Sequence, residues 1–140
     1  MLRSVNNPAA DYAEYLVTET LHLTPAPKST KGYDATSQDG KRYEIKARRL
    51  TRMSHPTRFS AIRTLEENSF DFLVAVVFDE DFRVQKAIVL TREQVKQRAF
   101  WQAHVNGWIL PINSDFWETE VSQDITQQMR ELQEETTASQ

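Results

Sequence analysis

The stretch that constrains the fold most lies at residues 32–47, where two alternating segments flank the dipeptide Asp39-Gly40. Apolar and polar side chains alternate on both sides of it, which is typical of β-strands that each bury one face. Asp-Gly between such segments is a strong signal for a tight turn, because both residues tolerate left-handed backbone conformations. The sequence therefore predicts an antiparallel β-hairpin.

The register of this hairpin depends on the length of its loop. A two-residue loop would place Asp34 opposite Ile45, so that a charged side chain shares the apolar face. A three-residue loop, with Gly40 left-handed as a bulge, places Asp34 opposite Glu44 and gathers the apolar side chains on one face. We expect the longer loop, because a slip of one residue would scramble both faces. The other pairs in that register are Ser37 with Lys41, Ala35 with Tyr43 and Tyr33 with Ile45.

This register brings together side chains that can do chemistry. Asp34 and Glu44 would have Cβ atoms roughly 5 Å apart, with Lys46 further along the same face. Two carboxylates that close repel each other unless a cation lies between them. Oxygen ligands suit Mg²⁺ or Mn²⁺, and such an ion can polarise a phosphate and acidify a bound water. A lysine beside it can orient that water, so the arrangement suits phosphodiester hydrolysis.

Tyr33-Asp34 followed by Glu44-Ile45-Lys46 resembles the motif of the PD-(D/E)xK, restriction-endonuclease-like nucleases, with Tyr33 in place of the proline. The resemblance implies that Asp34 and Glu44 bind the metal together with the backbone carbonyl of Ile45. It implies that Lys46 assists the attacking water. It also implies a restriction-endonuclease-like core, an α+β fold with a mixed central β-sheet flanked by helices. The alternative is a hairpin whose polar face is salt-bridged and exposed to solvent.

A first helix is predicted from Asn7-Pro8, an N-cap followed by the residue favoured at the first helical position, to about His22. The run Glu14-Tyr15-Leu16-Val17, with Leu21 a turn later, resembles the first helix of many of those nucleases. By that resemblance Glu14 is a second or outer metal ligand and belongs to the catalytic set. It is otherwise an ordinary surface glutamate.

The charges are distributed unevenly along the chain. A net charge of −3 argues against a uniformly basic surface, but residues 41–63 hold many cations against the single acid Glu44, and the chain is acidic from residue 113 onward. A basic run beside a metal site suits a phosphate backbone, so DNA is the predicted partner. The alternative is a solvated loop whose charge the acidic tail balances. The predicted nucleic-acid-binding residues are Lys28, Lys31, Arg48, Arg49, Arg52 and Arg58.

The rest of the chain gives mainly local signals. Residues 48–58 have no clear period and read as a long, basic, mobile segment, and residues 59–67 suggest a short helix or turn. The apolar run at 70–79 predicts the central strand of the sheet, buried on both faces, and residues 83–90 predict another strand. Thr91-x-x-Gln94 is a capping box for a helix that Asn106-Gly107 would end, and residues 108–112 predict a short edge strand. Three tryptophans could stack on bases, although core or interface packing is commoner: Trp101, Trp108 and Trp117.

The C-terminal region predicts a helix at about residues 115–133 and a frayed tail at 134–140. Its apolar seam is thin and suits a partner subunit as well as its own domain; the seam consists of Val121, Ile125, Met129 and Leu132. A small chain with one site needs two copies to cut both strands. We therefore expect a homodimer, with the C-terminal helix as a candidate interface.

Length and composition bound the remaining possibilities. A chain of 140 residues suits a single nuclease-like domain over 1–140, with its core at about 8–112. The absence of cysteine excludes disulfides and Cys-ligated zinc and fits a reducing compartment. No segment resembles a membrane span or a signal peptide. We therefore expect a cytoplasmic protein with no membrane partner.

Together these features predict a Mg²⁺-dependent endonuclease acting on DNA, with Mn²⁺ as a possible substitute. A restriction-like nuclease and a small Holliday-junction resolvase both remain open, because that resolvase family is similar in size and shows a helix Glu, an Asp and a Glu-x-Lys. Two further classes also remain open. One is a non-catalytic nucleic-acid-binding or assembly module with the same fold, and the other is a protein-interaction domain that uses the C-terminal seam.

Overall fold

The computed structural model describes residues 7–118 and 123–138. Its main sheet has six strands in the order β1-β2-β3-β4-β5-β8, with β3 and β4 parallel and the other neighbouring pairs antiparallel. The predicted α+β class, with a mixed central sheet flanked by helices, is confirmed. The elements are α1 (Pro8–Leu21), β1 (Thr24–Pro25), β2 (Ala35–Thr36), β3 (Arg42–Arg49), β4 (Phe72–Phe78), β5 (Val84–Thr91), α2 (Arg92–Arg98), β6 (Phe100–Gln102), β7 (Gly107–Ile109), α3 (Ser114–Glu118), β8 (Gln123–Asp124) and α4 (Thr126–Ala138), with short 3₁₀ turns at Leu65–Glu67 and Ala103–Val105.

Strand β4 is the centre of the sheet, as its apolar run predicts. It pairs with β3 on one side and β5 on the other, and the residues from Leu73 to Phe78 are fully buried. Alternate side chains enter two different apolar clusters, because successive residues of a strand point to opposite faces. Both faces of the sheet are therefore covered, which explains why nearly every position of this strand is apolar.

Two layers cover the sheet. Helices α1 and α4 pack on one side, which we call the helix face, and contribute Ala13, Leu16 and Met129 to its core. The other side, which we call the loop face, is covered by α2 and by the segments 59–65 and 110–116. On β3, Ile45 packs on the helix face. Because side chains alternate along a strand, its neighbours Glu44 and Lys46 point to the loop face.

The predicted caps are confirmed. Asn7 Oδ1 accepts a hydrogen bond from the Ala10 N–H at 3.1 Å, and Pro8 opens α1. Thr91 and Gln94 form both hydrogen bonds of the capping box that starts α2.

Within residues 7–118 and 123–138, none of the helices has the length and apolar character of a membrane-spanning segment.

The hairpin register is confirmed at its turn and changes beyond it. Ala35 pairs with Tyr43, and Gly40 adopts φ +87° in the predicted three-residue loop. The prediction that Tyr33 shares the apolar face of Ala35 is wrong, because its ring packs against the cluster on the loop face. The β2–β3 ladder begins only at Ala35, and Tyr33 lies outside it, directly after Gly32 with φ +92°.

The second helix is shorter than predicted. It ends at Arg98, and residues 100–109 form the antiparallel β6–β7 hairpin around a 3₁₀ turn. The prediction that the helix continues to Asn106-Gly107 is wrong. Asn106 adopts a left-handed φ of 50° at the end of the 3₁₀ turn, and aromatic residues in β6 favour a strand.

The predicted terminal helix at 115–133 is also wrong, since α3, β8 and α4 divide this region. Strand β8 pairs with the edge of β5, and the Thr126 hydroxyl accepts a hydrogen bond from the Ala87 N–H at 2.9 Å. Helix α4 extends to Ala138, so the residues from 134 to 138 are helical rather than frayed. Ile125 and Met129 are fully buried in the core of the chain itself, with Leu132 packed against them, and Val121 lies outside the described residues. A homodimer therefore stays a prediction, with its interface elsewhere than this seam.

Part of the basic segment is fixed on the loop face. The Phe59 N–H donates to the Leu110 carbonyl at 3.1 Å, and the Ile112 N–H donates to the Thr57 carbonyl at 2.7 Å. Ile62 forms an antiparallel bridge with Trp108. The prediction that residues 48–58 form one long, mobile segment without regular structure is wrong at both ends. Arg48 and Arg49 belong to β3, and buried apolar residues just after residue 58 anchor the other end.

Candidate functional site

The candidate site lies along the outer edge of strand β3. Strand β2 pairs with β3 only at Arg42 and Tyr43, whereas β4 pairs with β3 from Tyr43 to Arg49. Beyond Tyr43, no strand among the described residues pairs with this outer edge. From Glu44 onward, the edge of the main sheet is therefore open, although the strand lies next to its centre.

Asp34 occupies the first open position of that edge. Its backbone N–H donates to the Tyr43 carbonyl, and its carboxylate Oδ2 accepts a hydrogen bond from the Ile45 N–H, both at 2.7 Å. The N–H and C=O of one strand residue point to the same side, so the Ile45 carbonyl faces the open edge as well. The Asp34 carboxylate and the Ile45 carbonyl therefore face the same space, as the family resemblance requires.

The carboxyl groups of Asp34 and Glu44 lie close enough to interact electrostatically. Burial of Glu44, together with the charge on Asp34, raises the pKa of Glu44 to about 8, against the opposing effect of the nearby Lys46 charge. The protonated form of the Glu44 carboxyl is therefore favoured at neutral pH when no cation is bound. The predicted proximity of the two acids is present in the structure.

Lys46 is held by a contact that no local sequence pattern predicts. Its Nζ donates to Ser60 Oγ at 2.9 Å and to the Ala61 carbonyl at 3.2 Å. Both acceptors follow Phe59, whose buried ring anchors this segment to the loop face. Ser60 is therefore a site residue that the sequence analysis missed, and its only signal was its place in the basic run.

One cleft gathers the four predicted catalytic residues. It has a volume of about 310 Å³ and lies where α1 passes the open edge of β3. Helix α1 contributes Glu14 to its wall, so this part of the prediction is consistent with the structure. The cleft is lined by Asn7, Ala10, Asp11, Glu14, Asp34, Glu44, Ile45, Lys46, Ala47 and Ser60.

A second cleft continues the first one along the strand. It has a volume of about 350 Å³ and shares Asn7, Ala47 and Ser60 with the first cleft. Its walls include Arg48 and Arg49. We call the two clefts together the edge groove. The groove runs from a pair of carboxylates at one end to a pair of arginines at the other.

The predicted phosphate-binding cations divide into two groups. Arg48 and Arg49 line the edge groove, and Arg52 lies close to it, paired with Glu80 at 3.8 Å. The Arg49 guanidinium donates to the Glu80 backbone carbonyl and lies 4.4 Å from the centre of the Phe82 ring. These contacts hold Arg49 in place at the groove without neutralising its charge.

The other predicted cations lie elsewhere. The Arg58 guanidinium donates to Gln102 in strand β6, and only its backbone carbonyl contacts Arg48, from which it accepts a hydrogen bond at 2.8 Å. Lys28 and Lys31 are exposed between β1 and β2 and line neither cleft. The structure therefore brings only part of the predicted basic set to the groove.

The acidic end of the edge groove offers a small set of oxygen donors for the predicted Mg²⁺. Within residues 7–118 and 123–138, no three His, Asp or Glu side chains lie close enough together to hold a metal ion, so Glu14 lines the cleft without completing such a cluster. Mg²⁺ is commonly bound by one or two carboxylates and keeps several waters. Asp34, Glu44 and the Ile45 carbonyl fit that requirement. A divalent cation there would favour the deprotonated form of Glu44, because metal binding displaces a proton from its ligand.

No protein-family model matches the chain, and no curated protein matches it in sequence. The role of the edge groove is therefore argued from its own residues.

Proposed function

We propose that the chain is a Mg²⁺-dependent endonuclease that hydrolyses phosphodiester bonds of DNA in the edge groove. The observation that supports this most is the open edge of β3, where the carboxylates of Asp34 and Glu44 and the carbonyl of Ile45 lie beside Lys46. This is the ligand and lysine arrangement that the PD-(D/E)xK resemblance implies.

Asp34 and Glu44 would hold the metal ion, with the Ile45 carbonyl as a further ligand. When bound, Mg²⁺, or Mn²⁺ in its place, supplies charge that polarises a phosphate oxygen and acidifies a water. Glu44 must lose its proton to become a ligand, so metal affinity rises with pH. Glu14, on the opposite wall of the cleft, is placed to accept hydrogen bonds from waters around the ion.

Lys46 is the group that acts on the attacking water. A lysine ammonium has three donors, and Ser60 and Ala61 take two of them. The third donor orients the water or stabilises the charge that develops on the phosphate. The contacts to Ser60 and Ala61 keep the ammonium in place before the substrate arrives, which lowers the cost of reaching the reactive geometry.

The scissile strand would continue along the groove past Arg48 and Arg49. Both arginines line the second cleft, and the N-terminal residues of α1 form the opposite wall. The groove therefore offers an anion-binding path that leads directly to the acidic pair.

The substrate subclass within DNA nucleases is open between a restriction-like and a Holliday-junction-resolvase-like activity. Residues 7–118 and 123–138 form one such site, so cutting both strands needs two copies, and we propose a homodimer. The apolar seam of the C-terminal region, with Ile125, Met129 and Leu132, packs into the core of the same chain. The dimer contact would therefore lie on another surface.

A second candidate is a non-catalytic nucleic-acid-binding module. One observation favours it: within the described part of the chain, no third acid or histidine lies close enough to the acidic pair to share a metal ion with it. In that case the edge groove would bind phosphates through its arginines, and DNA would be bound without being cut.

Cleavage assays separate the two candidates. Plasmid, single-stranded and four-way-junction DNA are incubated with Mg²⁺, Mn²⁺ or EDTA, and wild type is compared with Asp34→Asn and Lys46→Met. Glu19→Gln, an exposed acid on α1, is the matched control. We expect metal-dependent cutting that both site variants lose and the control retains. Absence of cutting by a folded protein that binds DNA would overturn the nuclease proposal and support the binding module.

A further inference from the structure

The β6–β7 hairpin exposes large aromatic side chains. Trp101 is 49% exposed and Phe100 is 46% exposed. Trp101 lies edge-on to its cross-strand partner Trp108, with ring centroids 5.7 Å apart. Phe100 and Trp101 are consecutive in β6 and point to opposite faces, so Trp101 shares its face with Trp108. An exposed tryptophan ring offers a flat, largely apolar surface on which a ligand can pack. The hairpin is separate from the six-stranded sheet, and although Trp108 packs against the core cluster of the loop face, Phe100 and Trp101 belong to neither core cluster.

Two arginines lie near the turn end of the same hairpin. The Arg58 guanidinium donates to the side chain of Gln102 at the end of β6. Gly107 pairs with Gln102, and a Cβ at this glycine would lie 3.5 Å from Arg63 Cγ. Aromatic side chains beside arginines are the combination that binds single-stranded nucleic acid, because bases stack on the rings and phosphates meet the cations.

The hairpin is also connected to the edge groove. Lys46 donates to the Ala61 carbonyl, and a Cβ at Gly107 would lie 2.8 Å from that of Ala61, so only glycine fits there. Ile62 and Trp108 exchange two backbone hydrogen bonds, at 2.8 and 2.9 Å. The segment that holds Lys46 thus packs directly on β7. The hairpin therefore lies next to the carboxylate end of the groove, where Lys46 is.

We propose that the β6–β7 hairpin stacks an unpaired base of the DNA bound in the edge groove. The preferred substrate would then carry a single-stranded segment beside the bond that is cut. This inference rests on the proposed function for its ligand and narrows the substrate class. Arg58 and Arg63 complement phosphates, and stacking on Trp101 tolerates any base, because every base has a π-face. An apolar protein partner would leave the charges of the two arginines without a complement.

The test measures binding without cleavage. Fluorescence anisotropy in EDTA gives the affinity of the full chain for a labelled single-stranded oligonucleotide and for its blunt duplex. We expect Trp101→Ala to weaken single-strand binding by roughly ten-fold or more, while duplex binding stays within about two-fold. Trp101→Phe keeps a ring and should retain most of the single-strand affinity. Trp117→Ala removes a tryptophan that is 36% exposed on α3 and should change neither affinity.

Three results would overturn the inference: unchanged single-strand binding by Trp101→Ala, equal losses on both probes, or the same loss in Trp117→Ala. The Trp101→Phe variant shows whether a loss follows the ring or a folding defect. Because binding is read without metal, this inference and the nuclease proposal fail separately. Selective single-strand binding without any cleavage would support base stacking by the hairpin and contradict the nuclease proposal. Cleavage that Trp101→Ala leaves unchanged would support the nuclease proposal and contradict base stacking by the hairpin.

Discussion

The carboxylate of Asp34 accepts a hydrogen bond of 2.7 Å from the backbone N–H of Ile45. This contact replaces the strand partner that β3 lacks at its open edge, and it fixes the carboxylate beside Glu44. One side chain therefore has a structural role and a chemical role. A substitution at this position must separate the two.

Asp34→Asn and Asp34→Ala separate those roles. Asparagine keeps an oxygen that can accept from the Ile45 N–H, whereas alanine leaves that donor without a partner at a half-buried position. We expect Asp34→Ala to be less stable than Asp34→Asn by about 1–2 kcal/mol in urea unfolding, while both lose metal-dependent cleavage. Equal stability of the two variants would show that water satisfies the Ile45 N–H and that the contact has no structural role.

The raised pKa of Glu44 predicts a pH-dependent stability in the absence of metal. The folded state binds this proton up to about pH 8, whereas the unfolded chain releases it near the ordinary value of 4.5. Between these values the folded state holds more protons, so the free energy of unfolding falls as pH rises, with a slope of up to about 1.4 kcal/mol per pH unit.

Urea unfolding of wild type and Glu44→Gln across this pH range measures that slope. The glutamine cannot titrate, so the variant should lose most of the decline and be the more stable protein at the alkaline end. Glu19→Gln serves as the control, because it removes an exposed acid from α1 and should keep the wild-type slope. Parallel curves for wild type and Glu44→Gln would show that Glu44 titrates normally.

The sequence predicts the elements whose signals are local. The cap at Asn7, the capping box at Thr91 and the turn at Gly40 each depend on a few neighbouring residues, and each is present. The proximity of Asp34 to Glu44 follows from that turn, because the loop length sets the register. The chemical centre of the candidate site was therefore predictable from one hairpin.

Contacts between distant segments were not predictable in this way. Ser60 meets Lys46 only because the residues around it pack against the segment beginning at Trp108, and no short pattern encodes that contact. Strand β8 interrupts the predicted C-terminal helix because the edge of β5 offers backbone partners. In both cases tertiary pairing overrides the local periodicity from which the prediction was made.

The contact between Ser60 and Lys46 predicts a positioning role for this serine. Ser60→Ala removes the hydroxyl. Of the two acceptors that hold the Lys46 ammonium, Ser60 Oγ and the Ala61 carbonyl, only the carbonyl then remains. We expect kcat for DNA cleavage to fall by about three- to ten-fold with little change in KM, as the loss of one hydrogen bond implies. Ser60→Thr restores a hydroxyl and should recover most of the rate. A fall in KM and kcat together, or no recovery by threonine, would contradict this role.

The division of the cations predicts different salt dependences for DNA binding. Arg49 lines the edge groove and its contact with Glu80 is to a backbone carbonyl, so its charge remains to attract a phosphate. Lys28 is exposed and lines neither cleft.

In EDTA, we expect Arg49→Gln to weaken DNA binding and to reduce the slope of log K against log salt by about one, because one fewer counterion is released. Lys28→Gln removes the same charge outside the groove and should leave the slope nearly unchanged. Equal reductions in the two variants would mean that DNA contacts a diffuse basic surface rather than the groove.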